Sequence, residues 1–288
     1  MITDCSLTVV IPTLGGDVLV RTIRSIMSGS VVPQKILIVI PEERVDSLPQ
    51  LTCKTIEILA TKFRGQVQQR IFGFIRSQTE LVMQLDDDIE LAYDCIEILT
   101  SGMKISADMV ALAPALRYSK NMESVFFKKK SNFYYWLLNG SAGYQPGSVY
   151  LSGSPEGVNF EISHDFIESQ WIYGGCVLHR KNNLVLENYF PFRGKAYCED
   201  LIHSAILRGN GVKLFFMPKA IAYFEIDSYT KYAPKVFMRH LLSDFRARKY
   251  YNEFVGVRSN RIYFIYLIMV LNYLKSSIFG FWHRRDKL

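Results

Sequence analysis

The stretch LVMQLDDD, residues 81–88, carries the strongest structural signal in the chain. Its first five residues, apolar except for Gln84, predict a buried β-strand that ends where three aspartates begin. Adjacent carboxylates repel one another strongly unless a cation or hydrogen-bond donors offset their charge. Asp86 and Asp88 are alternate residues of an extended chain, so both can face one ion, and their hard oxygens suit Mg²⁺ or Mn²⁺. The aspartates therefore indicate a metal site, with a solvated acidic turn as the alternative.

Segments before this stretch alternate between strand and helix patterns. Short apolar runs at residues 7–13, 35–40 and 55–59 predict buried strands. Apolar residues at helical spacing predict one helix after Asp17 and another over residues 66–76. Strands that are apolar throughout and alternate with helices are typical of a parallel sheet covered on both faces. We therefore expect an α/β fold with a mostly parallel central sheet.

Polar residues follow several of these predicted strands. Pro12 and Thr13 end the first strand, Pro41 and Glu42 follow the second, and the three aspartates follow the strand at residues 81–85. In parallel α/β sheets, ligands bind beyond the carboxyl ends of the strands. We expect these side chains to share one rim of the sheet.

The second half of the chain is less regular. Residues 140–157 are rich in glycine, serine and proline, which predicts a long mobile loop. Glu199 and Asp200 open a predicted helix that closes at residues 209–211, and a strand over residues 212–217 is expected to end at Pro218. Acids at a helix start are often simple caps. Together with the aspartate triplet, however, they offer a carboxylate that could accept a proton from a hydroxyl group.

The positive charge of the chain is concentrated at its C-terminal end. The formal net charge is +7, yet residues 228–288 alone contain twelve lysines and arginines against three acids. From residue 235 the pattern is amphipathic, and residues 262–274 are apolar except for Asn272. Thirteen helical residues reach about 20 Å, short of the roughly 30 Å hydrocarbon core of a bilayer. We expect basic amphipathic helices that lie on an anionic membrane surface, with packing on the α/β domain as the alternative.

Cysteine usage argues against two common classes of site. The five cysteines include no CxxC pair, so neither a zinc ribbon nor a dithiol redox motif is supported. The first residues lack a signal-peptide pattern, and the expected location is the cytoplasm, peripheral on the inner face of the cell membrane. His203, alone on the helix after Asp200, is interpreted as structural.

The chain resembles a family 2 glycosyltransferase with the GT-A fold, a Rossmann-like nucleotide-sugar-binding domain. The resemblance covers roughly residues 6 to 225, and each matching piece is short. The matching pieces, in chain order, are TVVIPT at 8–13, Gly65, Gln69-Arg70, Gly73, LDDD at 85–88, Gly174-Gly175-Cys176, Arg180, Glu199-Asp200, Arg208, Gly211 and Pro218.

The resemblance implies a role for each matched position. Asp200 would be the catalytic base, and Glu199 would orient the acceptor or its loop. A divalent cation, Mn²⁺ or Mg²⁺, would be held by Asp86 and Asp88, with Glu225 in place of a histidine that many family members have. The nucleotide sugar would be bound by Pro12, Thr13, Glu42, Arg70, Asp86 and Asp87. Glu42 matches only approximately the position of the acidic residue that contacts the base in family members. The reaction would be a single inverting displacement.

The implied partners are a nucleotide-diphosphate sugar donor and a glycan or lipid-linked glycan acceptor for a surface polysaccharide. We expect a GT-A domain over residues 1–227, in halves 1–118 and 119–227, and a membrane-associated region over 228–288. One alternative is a sugar-phosphate nucleotidyltransferase. Such an enzyme is expected to have a glycine-rich, lysine-containing loop directly after the first strand, and Gly15-Gly16 is too short to form it. Another is a non-enzymatic membrane adaptor. Nucleic-acid binding is not expected, because the basic tail is interleaved with apolar runs.

Overall fold

The computed structural model describes residues 6–51, 53–161, 164–225 and 233–285. The described strands form one sheet in the order β3-β2-β1-β4-β8-β6-β9-β5, with β7 paired to β9. Their bounds are β1 Leu7–Pro12, β2 Lys35–Pro41, β3 Ile56–Thr61, β4 Leu81–Leu85, β5 Ile89–Leu91, β6 Val110–Tyr118, β7 Ile167–Ser169, β8 Cys176–Arg180 and β9 Lys213–Phe224. Strands β1 to β4, β6 and β9 run in one direction, while β8, β5 and β7 run against them. The mostly parallel α/β sheet is confirmed.

Helices cover both faces of this sheet. The described helices are α1 Val18–Met27, α2 Gln66–Arg76, α3 Cys95–Ile105, α4 Asn132–Asn139, α5 Glu199–Gly209, α6 Pro234–Phe254 and α7 Ile262–Arg285. On β1, Val9 packs in the core cluster that contains Leu19 of α1, whereas Val10 packs in a second cluster with Phe74 of α2. Burial on both sides explains why β1 is apolar along its whole length.

Strand β9 corrects one sequence prediction. The strand was expected to end at Pro218, but it continues to Phe224. Pairing with β6 shifts register here, since Pro114 faces Met217 and Ala115 faces Ile221. A bulge tolerates a residue without an N–H group, so Pro218 interrupts the ladder without ending the strand.

Residues 140–157, predicted from composition to be a mobile loop, contain a short 3₁₀ helix and a bridged turn. Val149 bridges Pro155, and the backbone N–H of Glu156 donates to the carbonyl of Ser148 at 2.9 Å. Tyr150 and Ser152 are buried. The glycines and serines of this segment thus make turns that pack against the domain.

The C-terminal helices contact the sheet domain through α4 and α5. Tyr135 of α4 and Ile262 of α7 share a buried apolar cluster. Arg248 of α6 pairs with Asp244 at 3.2 Å and donates to the carbonyl of Gly153 at 2.6 Å. Within the described part of the chain, no helix combines the length and apolarity needed to cross a bilayer. The expected domain boundary at residue 227 lies outside the described residues.

Candidate active site

Two adjoining cavities open at the carboxyl ends of β1 and β4. The first, here called the large cleft, has a volume of about 1000 Å³ and is lined by the end of β1, the start of α2 and a loop over residues 188–196. The second, here called the acidic pocket, has a volume of about 360 Å³ and contains four carboxylates. Gln66, Lys195 and Ala196 line both cavities. One elongated ligand could therefore extend from one cavity into the other.

The large cleft contains three of the predicted nucleotide-binding residues: Pro12, Thr13 and Asp87. The hydroxyl of Thr13 donates to the carboxylate of Asp87. Buried Gln69 donates from Nε2 to the carbonyl oxygens of Thr13, at 2.9 Å, and Val39, at 2.8 Å. These bonds satisfy backbone groups at the ends of β1 and β2 and fix the shape of this wall.

The acidic pocket gathers Asp86, Asp88, Glu199 and Asp200. The two pairs come from distant parts of the sequence, one at the end of β4 and the other at the start of α5. The tertiary fold therefore brings two of the three predicted metal ligands, Asp86 and Asp88, and the predicted base to one cavity.

Arg70 is placed differently from its predicted contact with the nucleotide. Its side chain is 1% exposed and lies beneath the acids, 3.1 Å from Asp86 Oδ1 and 2.9 Å from Glu199 Oε1. Tyr189 donates its hydroxyl to the other oxygen of Glu199 at 2.9 Å, and Gln66 donates to Asp86 Oδ1 at 2.8 Å. Arg70 lines neither cavity, so its visible role is to neutralise and orient these two carboxylates.

Two glycines allow the backbone to approach the acids closely. The carbonyl of Gly175 accepts a hydrogen bond from the backbone N–H of Asp86 at 2.8 Å. A Cβ atom on Gly174 would lie 2.5 Å from Glu199 Oε1, and one on Gly175 would lie 2.5 Å from Ile89 Cδ1 and 3.3 Å from Asp86 Oδ2. Any side chain at residue 174 would displace Glu199, which explains the glycine pair in physical terms.

Burial sets the protonation of the acids. Burial, together with the charge of Glu199, raises the pKa of Asp200 to about 7. The pKa of Asp86 is raised to about 6, mainly by burial, against the opposing effect of Arg70. Burial also raises the pKa of Asp87. The backbone N–H of Leu201 donates a hydrogen bond to the Asp200 side chain at 2.9 Å. A carboxylate with a pKa near neutrality in a cavity can act as a proton acceptor.

Glu42 and Glu225 are not brought into either cavity. Glu42 begins an exposed 3₁₀ helix after β2, and Glu225 forms an ion pair with Arg21. That ion pair lowers the pKa of Glu225. Their roles at the nucleotide and the metal stay predictions.

The acids of the acidic pocket fit one kind of metal site. Among the described residues, no three His, Cys, Asp or Glu side chains converge closely enough to enclose an ion. Asp86 and Asp88 nevertheless line one pocket. Mg²⁺-type cations usually take only one or two carboxylates and complete their coordination with phosphates and water. The residues present fit such a shared site better than an all-protein cage.

Sequence reasoning missed the loop over residues 188–196 as part of the site. It provides Arg193 and Lys195 to the large cleft, while Tyr189 holds Glu199. No periodicity or spacing marks these residues. The only sequence signal is that aromatic residues lie next to Arg193, Gly194 and Lys195 in the chain.

Comparisons with known proteins support the fold. Neither a scan against protein-family models nor a search of curated proteins gave a match. Among solved structures, the chain is similar to a crystal structure of GalNAc-T7 with UDP, GalNAc and Mn²⁺. The match has a TM-score of 0.56 at 15% sequence identity and covers 85% of this chain but 50% of the other. The fold is therefore that of the GT-A glycosyltransferases, and the chain spans about half the length of the GalNAc-T7 chain.

Proposed function

We propose that this protein is a metal-dependent glycosyltransferase that transfers a sugar from a nucleotide-sugar donor to a glycan acceptor with inversion of configuration. One observation carries the proposal: Asp86 and Asp88 share a pocket with Asp200, and that pocket adjoins a cleft large enough for a nucleotide. The similarity to a structure containing UDP, GalNAc and Mn²⁺ supports the same class of donor.

The donor would occupy both cavities. Pro12 and Thr13 would contact the base and ribose in the large cleft, and the sugar would enter the acidic pocket. Asp88 and Asp86 would hold Mn²⁺ or Mg²⁺, which when bound would stabilise negative charge on the departing nucleoside diphosphate.

Asp200 would accept the proton of the attacking acceptor hydroxyl. The acceptor oxygen forms a bond to the anomeric carbon as the bond from that carbon to the phosphate oxygen breaks, and the hydroxyl proton moves to the Asp200 carboxylate. Phe126 and Tyr173 form a stacked pair, 5.4 Å between centroids, in the wall of the same pocket. Such an apolar wall suits the C–H face of a sugar ring and limits the access of water.

The proposal extends to a lipid-linked acceptor because α7 presents an apolar face. Tyr263, Leu267, Leu271 and Leu274 are exposed, and their spacing places them on one side of the helix. Exposed basic residues lie near both ends of this face, Arg258 before it and Lys275 after it. An apolar helix face with flanking cations fits the interface of an anionic membrane, where a lipid-linked acceptor for a surface polysaccharide would be held.

Release of nucleoside diphosphate tests the enzymatic proposal. Purified protein would be incubated with Mn²⁺ and UDP-, GDP- and dTDP-sugars, with Asp165→Asn as a surface control. We expect turnover that is lost with a chelator and in Asp88→Ala. In Asp200→Asn, donor binding should persist while transfer falls at least a hundredfold. Full activity in both variants would refute the proposed roles.

Flotation with vesicles tests the membrane proposal. Leu267→Glu and Leu271→Glu should reduce co-flotation with phosphatidylglycerol vesicles, because each places a charge on the apolar face of α7. Ile105→Glu, at an exposed position on α3, is the matched control. Equal flotation of all variants, or no flotation of the wild type, would contradict the proposal.

A further inference from the structure

The segment 188–198, which contains the loop over residues 188–196, is anchored on both sides of its exposed middle. On one side, Tyr189 donates to Glu199 and Phe190 is buried in the core. On the other, the hydroxyl of Tyr197 is hydrogen-bonded to His240 of α6. Arg193 and Lys195 lie between these anchors and are exposed. The fold thus holds the two cations at the mouth of the large cleft.

The large cleft carries an excess of positive charge. Three basic residues line it, Arg64, Arg193 and Lys195, and the described residues give none of them an ion pair with a carboxylate. Asp87 is the one acid among the described residues that line the cleft, and it is engaged by Thr13. In contrast, Arg70, buried beneath the acidic pocket, is matched by two carboxylates. Lys195 Nζ lies 5.5 Å from the centroid of the Tyr197 ring, but in the described part of the chain no carboxylate pairs with these cations, and they favour an anionic ligand.

The start of α2 adds a second, independent feature. Gly65, Gln66, Val67 and Gln68 line the same cleft. The first N–H groups of a helix have no partner within it and carry partial positive charge. The cap residue Gly65 has no side chain, its own N–H donates to Gln69 Oε1 at 3.2 Å, and the first turn contains no acid. The N–H groups that follow Gly65 are therefore available to an anion.

From these features we propose that Lys195 and Arg193 bind the diphosphate of the nucleotide donor, opposite the N-terminus of α2. The inference rests on the proposed function and adds the residues that recognise the phosphates. Lys195 lines both cavities, so it lies where the bond between phosphate and sugar would be broken. Lys195 would contact the terminal phosphate, and Arg193 would contact the diphosphate from the side of the large cleft.

Gly194 shapes this part of the loop. Its φ of +90° lies in a region that other residues adopt only with strain, and a Cβ atom would meet nothing within 4 Å. Gly194→Ala therefore perturbs the backbone between the two cations without a steric clash. It tests whether loop conformation, in addition to charge, matters for binding.

Isothermal titration of nucleoside diphosphates and nucleosides separates phosphate recognition from base recognition. UDP, GDP and dTDP would be titrated first, and the best binder would be compared with its nucleoside. Lys195→Met and Arg193→Met should each weaken diphosphate binding about tenfold while leaving nucleoside binding unchanged, because each removes one charge-assisted contact. Gly194→Ala should weaken diphosphate binding in the same direction. Lys213→Met, an exposed lysine at the start of β9, is the control.

The outcomes distinguish the two proposals. If the wild type binds a diphosphate and both variants bind it equally well, the loop assignment is overturned while the donor cleft stands. If the variants weaken the binding of nucleoside and diphosphate equally, the loop assignment is also overturned, because the loop would then act through the shape of the cleft. Failure of the wild type to bind any of the three diphosphates would overturn the proposed function itself. Melting temperatures equal to that of the wild type would confirm that these surface variants are folded.

Discussion

Asp200→Asn should stabilise the protein at alkaline pH although it removes the proposed base. The carboxyl of Asp200 is partly buried, and burial together with the charge of Glu199 raises its pKa to about 7, against an ordinary value of 3.8. A pKa that is higher in the folded than in the unfolded state means that the folded protein holds the proton more tightly. The wild type therefore loses stability as the pH rises from the unfolded value towards the folded one. The asparagine side chain does not titrate in this pH range, so the variant does not lose stability in this way.

The size of this effect follows from the two pKa values. With about 1.4 kcal/mol for each pKa unit, the raised pKa of Asp200 costs the wild type about 4 kcal/mol at pH 8 and less than about 2 kcal/mol at pH 5. The stabilisation by Asp200→Asn should therefore grow by up to about 2.5 kcal/mol between pH 5 and pH 8. This is an upper limit, because the carboxyl retains some contact with solvent.

Urea denaturation of both proteins at pH 5 and pH 8 measures the effect. Asp165→Asn is a control of opposite sign: the Asp165 carboxylate is exposed, lies 2.7 Å from Lys219, and has a lowered pKa. That variant should gain no stability at pH 8. A free-energy difference between Asp200→Asn and wild type that is equal at the two pH values would refute the raised pKa. The reason for assigning the base to Asp200 would then be lost.

Three further substitutions test how the acids are held. Arg70→Met should cost about 3–5 kcal/mol of unfolding free energy in urea titrations, because it leaves Asp86 and Glu199 without their buried cation; a loss below 1 kcal/mol would contradict that role. Tyr189→Phe removes one hydrogen bond to Glu199 and should cost about 1–3 kcal/mol, measured in the same way; an unchanged midpoint would show that the bond is weak in solution. Gly174→Ala should lower the melting temperature by several degrees, since its methyl group overlaps Glu199; wild-type melting would indicate that the pocket adapts freely.

Much of the first half of the fold was predictable from sequence because its signals are local. Strand β4 and helix α2 have the predicted bounds, since a run of apolar residues and a helical spacing are each contained within a few residues. Pro218 shows where local reasoning fails. A proline normally ends a strand, but here the neighbouring strand β6 accommodates it at a register shift, and only the three-dimensional pairing reveals this.

The candidate site was partly predictable. The acids at 86–88 and 199–200 could be nominated from their types and their positions next to predicted elements. The contact between Arg70 and Glu199 joins residues 129 positions apart and has no local signal. The same holds for Lys195, which looks like an ordinary loop lysine in the sequence. Its proposed role depends on its position in the wall of both cavities.

The placement of Arg70 explains how one ligand could span two cavities of opposite charge. Arg70 offsets part of the charge of Asp86 and Glu199, but Asp88 and Asp200 leave the acidic pocket net negative when ionised. The adjoining large cleft carries the uncompensated cations Arg64, Arg193 and Lys195. Without a cation on Asp86 and Asp88, a diphosphate would be attracted to the positive cleft and repelled by the pocket; a bound Mn²⁺ or Mg²⁺ would offset part of that repulsion. A neutral sugar can enter the pocket in either case. Under the proposed function, this division of charge would place the phosphates of a nucleotide sugar at Lys195 and its sugar beside Asp200.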